Sequence, residues 1–540
     1  MISLLQDYLL RSAERTPDSG ALVMGDDRLT YGELERETNR LARLMREMGC
    51  VDGARVCVLA AKTPWTIVGL IAVLKAGGVY VPIDSASPSA RVARIVDVAD
   101  PSLILADGSA VKLVDDLIDA GALSRRNTRI GSVNGRLSGA WFTSAFTCAD
   151  AATLSAEPLG RPRVSDDIAH LLFTSGSTGV PKGVMITHAN VLAFVEWAVR
   201  YFGMKPTDRI SGHPPLHFDL STFDIYGALA AGAELHLVPG TLSVNPRALA
   251  DLIRDGELTQ WFSVPSVLTY MAKFDVVTDH DFPALERLLW CGEVLPTPVL
   301  AYWMRRLPHV RFTNLYGPTE ATIASSYYTV PICPVDETAP IPIGTPCDGE
   351  DLLILDETLR PTPVGEIGDL YISGVGLSPG YWRDAEKTAG AFLPAPNGPG
   401  STERIYRTGD LAQRGDDGLV QFLGRADSQI KSRGYRIELG EIEAAVNATE
   451  GVRECAVVGV DTGGFEGNTI CCAFSTPDGV ELPALALRAE VSRLLPAYML
   501  PARWREMDAL PKNVNGKIDR KELKEWFVRE LTPAQGAQQR

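Results

Sequence analysis

The stretch Thr174-Ser-Gly-Ser-Thr-Gly-Val-Pro-Lys-Gly183 closes an apolar run that begins at Leu171. Its glycines let backbone N–H groups approach phosphate oxygens, its hydroxyls add donors and Lys182 adds positive charge, so the loop suits a polyphosphate. It is not a Walker A loop, because Pro181 stands where the second glycine would be. The competing reading is a flexible Gly/Ser turn, against which the Pro-Lys-Gly ending counts. On either side, from about Leu29 to Ile323, β-rich apolar runs alternate with helical stretches: Arg55–Ala60 and Leu171–Thr174 as strands, Pro64–Ala76 and Ala189–Tyr201 as helices. That alternation predicts parallel sheets with helices on their faces.

Organisation changes further along. Between Ile341 and Val420 short strands are punctuated by Ser373-Gly374-Val375-Gly376 and Pro379-Gly380, which predicts a smaller antiparallel, β-barrel-like unit. From Asp427 an α+β pattern follows: a helix over Leu439–Asn447, strands over Glu454–Val460 and Thr469–Phe474, and a helix over Leu485–Leu494. The expected fold class is therefore α/β. Residues 1–426 form a large domain of two βαβ-type sheets with the β-barrel-like subdomain, and residues 427–540 form a small mobile α+β domain behind a hinge at Asp427.

Composition excludes several classes. With 67 acidic against 52 basic residues the 540-residue chain carries a formal charge of −15, which repels nucleic-acid backbones and anionic lipid surfaces. The apolar stretch Val68–Ile83 is broken by Lys75 and Gly77-Gly78 and falls short of the ~20 residues of a membrane span. The amphipathic start Met-Ile-Ser-Leu-Leu-Gln-Asp-Tyr lacks the basic opening of a secretory leader. Nine cysteines without a Cys-x-x-Cys pair suggest neither a disulfide framework nor a zinc site. A soluble cytoplasmic protein is expected. The seven histidines, at 170, 188, 213, 217, 236, 280 and 309, show no metal-binding spacing.

Nine further motifs accompany the loop. Leu29-Thr-Tyr-Gly-Glu-Leu34 and Leu74-Lys-Ala-Gly-Gly-Val-Tyr-Val-Pro-Ile-Asp84 precede it. Phe218-Asp219-Leu220-Ser221, Asn314-Leu-Tyr-Gly-Pro-Thr-Glu320, Gly365-Glu-Ile-Gly-Asp-Leu370 and Tyr406-Arg-Thr-Gly-Asp-Leu411 follow it. Gly424-Arg-Ala-Asp-Ser-Gln-Ile-Lys-Ser-Arg-Gly434, Leu495-Pro-Ala-Tyr-Met-Leu-Pro501 and Asn515-Gly-Lys-Ile-Asp-Arg520 complete the series. In content and order the chain resembles the amino-acid adenylation domains of non-ribosomal peptide synthetases, within the wider group that includes acyl-CoA synthetases and luciferases. The resemblance covers residues 29–520.

What it implies is ATP- and Mg2+-dependent activation of an amino acid to an aminoacyl adenylate, then transfer to a phosphopantetheine thiol. Carboxylate and α-phosphate are both anionic, so cations must be aimed at the developing charge. The resemblance gives that task to Lys517, with Thr174 in the loop and with Glu320 as the Mg2+ ligand. Nucleotide contacts are implied for Thr174, Ser175, Gly176, Ser177, Thr178, Gly179, Lys182, Gly292, Glu293, Asn314, Tyr316, Gly317, Thr319, Asp410 and Arg425. Among these, Tyr316 would stack on adenine, Thr319 would donate to the α-phosphate and Asp410 would accept from both ribose hydroxyls. Rotation at Asp427 would exchange Lys517 for the Gly434 loop between the half-reactions. No carrier-domain serine motif occurs, so a separate carrier protein is expected.

Asp219 matches the aspartate that pairs with the substrate's α-ammonium, an attraction of roughly 4 kcal/mol at 4 Å in an effective dielectric near 20, before desolvation. Its competing reading is a helix N-cap. Leu220, Phe223, Ser263, Leu289, Cys291, Leu315, Ile323 and Ala324 match the other pocket positions, with Lys517 at the carboxylate. This lining holds no second charge, so a small or medium neutral side chain is expected: alanine, proline, serine or a non-proteinogenic relative, with a β-amino acid also open. His217 either lines the carboxylate end or packs. The competing functions are an acyl-CoA or aryl-CoA ligase, which would have no amine for Asp219 to meet, and a non-catalytic nucleotide-binding homologue.

Overall fold

The computed structural model describes the chain except for residues 1, 124–127, 161–163, 177–179, 244, 397–402, 428, 462–467, 478–479, 514–517 and 532–540. Two compact units result. One comprises Met1–Ser85, Ile95–Phe173 and Gly183–Ala426, the other Ala86–Arg94, Thr174–Lys182 and Asp427–Arg540.

The first unit holds two large, predominantly parallel sheets. In one, Arg55–Leu59, Val79–Pro82, Leu103–Ala106 and Ile168–Thr174 are neighbouring strands, each fully or largely buried. Such near-continuous apolar runs are what strands covered on both faces require. The helix Pro64–Lys75 belongs with them: Thr63 caps it, Pro64 takes the first turn, and its residues are apolar on every side.

In the other sheet Gln260–Ser263, Arg287–Cys291 and Arg311–Tyr316 run parallel side by side. The helix Asp219–Ala231 is likewise buried along nearly its whole length, and it ends where Gly232 takes a left-handed conformation (φ 75°). The helix His188–Phe202 starts with a capping box between Thr187 and Asn190 and stops at left-handed Gly203. A third sheet is antiparallel and joins Glu350–Leu355, Ile367–Gly374, Phe392–Pro394, Arg404–Arg414 and Val420–Arg425.

In the second unit the hairpin Gln429–Ser432/Tyr435–Glu438 accompanies a sheet of Glu454–Asp461, Asn468–Ser475 and Arg503–Glu506. The helix Leu439–Asn447 packs beside it, and Ile442, Val446, Val457 and Phe474 share its core. The architecture thus matches the α/β class expected from the alternation, with two βαβ-type sheets, an antiparallel β unit and a C-terminal α+β segment. Among the described residues no helix is long and apolar enough to cross a membrane, and no disulfide joins any of the nine cysteines.

One buried charge pair anchors the amino end of the strand Arg287–Cys291, whose carboxyl end reaches the candidate site. Arg287 opens a strand at 2% exposure and donates to Asp208 at 2.5 Å, to Gln260 Oε1 at 3.1 Å and to the Phe202 carbonyl at 3.1 Å. Removing one partner of such a pair leaves an uncompensated charge in the interior. Asp208→Ala is therefore expected to lower unfolding free energy by about 3–5 kcal/mol, read as a fall in the urea midpoint at unchanged slope.

Candidate active site

Strand pairing builds the first corner of the site. In the antiparallel ladder of Arg404–Arg414 with Val420–Arg425, Asp410 lies directly opposite Arg425. The guanidinium donates to Asp410 Oδ1 at 2.6 Å, while Tyr316, the last residue of its own strand, donates its hydroxyl to Oδ2. The Asp410 backbone N–H donates to the Thr408 hydroxyl at 3.0 Å. Burial together with the Asp410 charge pushes the Tyr316 phenol well above its usual range, so it stays a donor. The result is a buried, oriented carboxylate with lone pairs left over for sugar hydroxyls.

The turn that follows Tyr316 is tightly constrained. A Cβ on Gly317 would stand 2.6 Å from the Ala324 Cα, so glycine is the residue that allows this passage. Thr319–Ala321 form a single 3-10 turn, which buries Glu320 completely. Tyr381 donates to Glu320 Oε1 at 2.8 Å, and the Ser378 N–H donates to its carbonyl at 2.9 Å. Next, Thr322 (φ 56°) and Ile323 (φ 70°) both adopt the left-handed conformation, which β-branched residues rarely enter. Asn314 is fixed by donating to the Pro342 carbonyl at 2.8 Å. Beyond Cys291, Gly292 turns the chain and Glu293 accepts from the Ser266 N–H at 3.2 Å.

An apolar wall adjoins this turn. Cys291 lies opposite Leu315 in the parallel ladder, and its thiol donates to the Ile323 carbonyl at 3.8 Å. Leu220, Phe223, Leu289, Cys291, Leu315, Ile323 and Ala324 all belong to the large buried core of this unit, and Cys291 and Leu315 stand at the carboxyl ends of parallel strands, where ligands of α/β sheets bind. Ser263 does not join them. It is in register with Trp290, one residue out of phase with Leu289 and Cys291, so the pleat points it to the other face. There its hydroxyl accepts from the Trp261 indole at 2.9 Å, and Phe262 faces Leu289 instead.

Asp219 sits half-buried as the first helical residue, with Phe218 at the N-cap position. It is therefore not the cap, and its charge benefits from the helix N-terminus. Of the phosphate loop, Thr174, Ser175, Gly176 and Lys182 are described and lie in the second unit. Thr174 Oγ1 is buried and has no hydrogen-bond partner among the described residues, leaving it able to serve a ligand. Ser177, Thr178, Gly179, Asn515 and Lys517 fall outside the described residues, and Asp427 is exposed.

Two groups escaped the sequence reading. Tyr381, which holds Glu320, lies just beyond Pro379-Gly380, read only as a turn. Asp224 lies inside the apolar helix, its oxygens buried without hydrogen-bond partners among the described residues. Burial pushes its carboxyl well up. Lys62, whose ammonium burial lowers to about 7 against the pull of Asp224, donates to the carbonyls of His213 (2.6 Å) and Pro214 (3.0 Å). An acid set between Phe223 and Ile225 in a helix whose later turns are apolar was the available signal.

The family model for AMP-binding enzymes matches residues 9–382, and that for the C-terminal domain of AMP-binding enzymes matches residues 441–517. The chain belongs to the AMP-binding enzyme family. It is 34% identical to an L-proline--[L-prolyl-carrier protein] ligase of Pseudomonas fluorescens, over 96% of this chain and 98% of that protein. It is also 34% identical to tyrocidine synthase 3 of Brevibacillus parabrevis over 96% of its own length, but spans only 8% of that protein. A solved non-ribosomal peptide synthetase protein with adenylation and PCP domains superposes with a TM-score of 0.80 at 26% identity, covering 96% of this chain and 84% of that one.

On the ribose-binding role that the resemblance implies for Asp410, which Tyr316 and Arg425 both hold in place, its removal should strike nucleotide binding selectively. Asp410→Ala is expected to raise the KM for ATP at least ~10-fold, the worth of one charge-assisted hydrogen bond, while the KM for the acid substrate changes less than about twofold. Steady-state kinetics with each substrate varied in turn checks this.

Proposed function

We propose that this protein is an AMP-forming ligase that uses ATP to activate a small neutral amino acid as its adenylate and passes the aminoacyl group to the phosphopantetheine thiol of a separate carrier protein. The observation that carries the reading is the half-buried carboxylate of Asp219 in the first turn of a helix whose Leu220 and Phe223 enter an apolar cluster with Leu289, Cys291, Leu315, Ile323 and Ala324. A cationic amine suits that carboxylate, and the uncharged wall penalises a charged substrate side chain. The relative named for proline makes proline the first candidate, followed by alanine and serine. The chemistry of these reactions sits in a reducing cytoplasm in this reading.

In the first step a carboxylate oxygen attacks the α-phosphorus of ATP, the bond to pyrophosphate breaks and pyrophosphate leaves. We assign Lys517 to the carboxylate and the nucleotide in this step, Asp410 and Arg425 to the ribose, Tyr316 to adenine and Thr319 to the α-phosphate. Thr174 and the rest of the Thr174–Lys182 loop take the leaving phosphates. In the second step the carrier thiol, losing its proton, attacks the acyl carbon and AMP leaves. Asp427 is assigned as the pivot between the steps.

Glu320 fits Mg2+. It is one hard carboxylate, oriented by Tyr381, and Mg2+ is usually held by one or two carboxylates with phosphates completing its shell. When bound, the ion would neutralise phosphate charge.

ATP–pyrophosphate exchange over a panel of D-, L- and β-amino acids, fatty acids and aromatic acids tests the reading. Exchange is expected with a small neutral amino acid. Asp219→Ala should raise that amino acid's KM by on the order of 100-fold, with the KM for ATP nearly unchanged. Exchange restricted to acids without an amine, or amino-acid kinetics indifferent to Asp219→Ala, contradicts it.

A further inference from the structure

Two β-branched residues in left-handed conformations persist only where their surroundings over-determine them, at a cost of about 1–3 kcal/mol each. For Thr322 and Ile323 the holding contacts are on the page. The Thr322 hydroxyl donates to the Gly376 carbonyl at 2.7 Å. The Gly376 N–H in turn donates to Glu350 Oε1 at 2.6 Å. Gly376 is wedged in place: a Cβ added to it would lie 2.7 Å from Glu350 Oε1 and 2.8 Å from the Ala321 carbonyl oxygen. The turn closes through Ala324 N–H donating to the Thr322 carbonyl at 2.9 Å and Ser325 N–H donating to the Tyr316 carbonyl at 2.7 Å. Its next residues are Ile323 and Ala324, which enter the apolar cluster with Cys291 and Leu315.

We infer that Glu350 is a positioning residue that, through the Gly376 backbone and the Thr322 hydroxyl, holds the Thr322–Ile323 turn and so sets the affinity of the pocket for its acid substrate. The inference rests on the proposed assignment of Ile323 and Ala324 to the substrate pocket. Glu350 touches neither substrate nor nucleotide in this account; it acts by fixing where two lining residues stand. Its second oxygen is buried without a hydrogen-bond partner among the described residues, and burial raises the carboxyl to about 8. At neutral pH the side chain is therefore a neutral acid, for which glutamine is close to an isostere. The contact needed is the acceptor at Oε1, not a charge.

The test compares Glu350→Ala, Glu350→Gln, Thr322→Val and the Glu350→Ala/Thr322→Val double variant of the full chain. KM for ATP and for the acid are read by pyrophosphate exchange, using whichever acid of the panel the wild type accepts. Hydrogen exchange over residues 316–326 is read on the same proteins and requires no turnover. Glu350→Ala and Thr322→Val are each expected to raise the acid KM about 10-fold with the ATP KM within about twofold, and the double variant to fall well short of the product of the two effects. Glu350→Gln should stay within about twofold of wild type for both substrates. Hydrogen exchange across the turn should quicken in Glu350→Ala and not in Glu350→Gln.

Glu350→Ala with an unchanged acid KM and unchanged exchange across the turn overturns the inference. So does an equal rise in both KM values that Glu350→Gln does not spare, which marks a merely structural role. A wild-type enzyme that accepts only acids without an amine refutes the amino-acid reading alone, and the KM split is then read with that acid.

Discussion

Two anions that must react cannot be brought together by packing alone, and this constraint organises the site. An acid carboxylate and a triphosphate repel each other, so the protein has to hold each by features that do not depend on the other. In the proposed assignment the nucleotide corner meets that need with a cross-strand pair: Asp410 and Arg425 face each other because the antiparallel register puts them there, and Tyr316 arrives from the end of a parallel strand. The proposed acid corner uses different elements, a helix N-terminal turn bearing Asp219 and apolar residues of the same parallel sheet. Tyr316 ends the strand that supplies Leu315 to the wall, so one strand serves both corners.

Rigidity at this junction is obtained with backbone strain rather than with a longer loop. Gly317, Glu320, Thr322 and Ile323 lie within seven residues, and each has a neighbour that constrains or contacts it: Ala324 for Gly317, Tyr381 for Glu320, Gly376 for Thr322 and, through a weak thiol contact, Cys291 for Ile323. Strain of this kind concentrates where ligands are positioned. Asp224, within the helix Asp219–Ala231, and Lys62 place further ionisable groups in the interior, at a desolvation cost that their mutual attraction only partly offsets.

Much of the fold was legible because its signals are local. The helix Leu439–Asn447 was read at its observed bounds, since its apolar spacing and flanking polar residues coincide with its hydrogen bonding. The strands expected at Glu454–Val460 and Thr469–Phe474 extend by one or two residues, to Asp461 and over Asn468–Ser475, because ladder bonds outlast the apolar run. The helix expected over Leu485–Leu494 ends at Val491 although Leu495 is still buried; apolar spacing reports burial and cannot by itself locate the last helical hydrogen bond. Site residues are harder, because their meaning is non-local. Ser263 was placed by its position along the chain, whereas its direction is set by register with Trp290. Glu350 and Gly376 lie 26 residues apart and meet only through tertiary folding.

The most direct measurement compares acids that differ only by the amine. Pyrophosphate exchange is measured with proline against cyclopentanecarboxylic acid and with alanine against propionic acid, and the comparison is repeated for every amino acid the enzyme accepts. If Asp219 meets a substrate ammonium, the accepted amino acid should exceed its amine-free counterpart in kcat/KM by on the order of 100-fold or more. Equal efficiency for the two members of a pair would contradict the central claim while leaving the ATP-dependent chemistry in place.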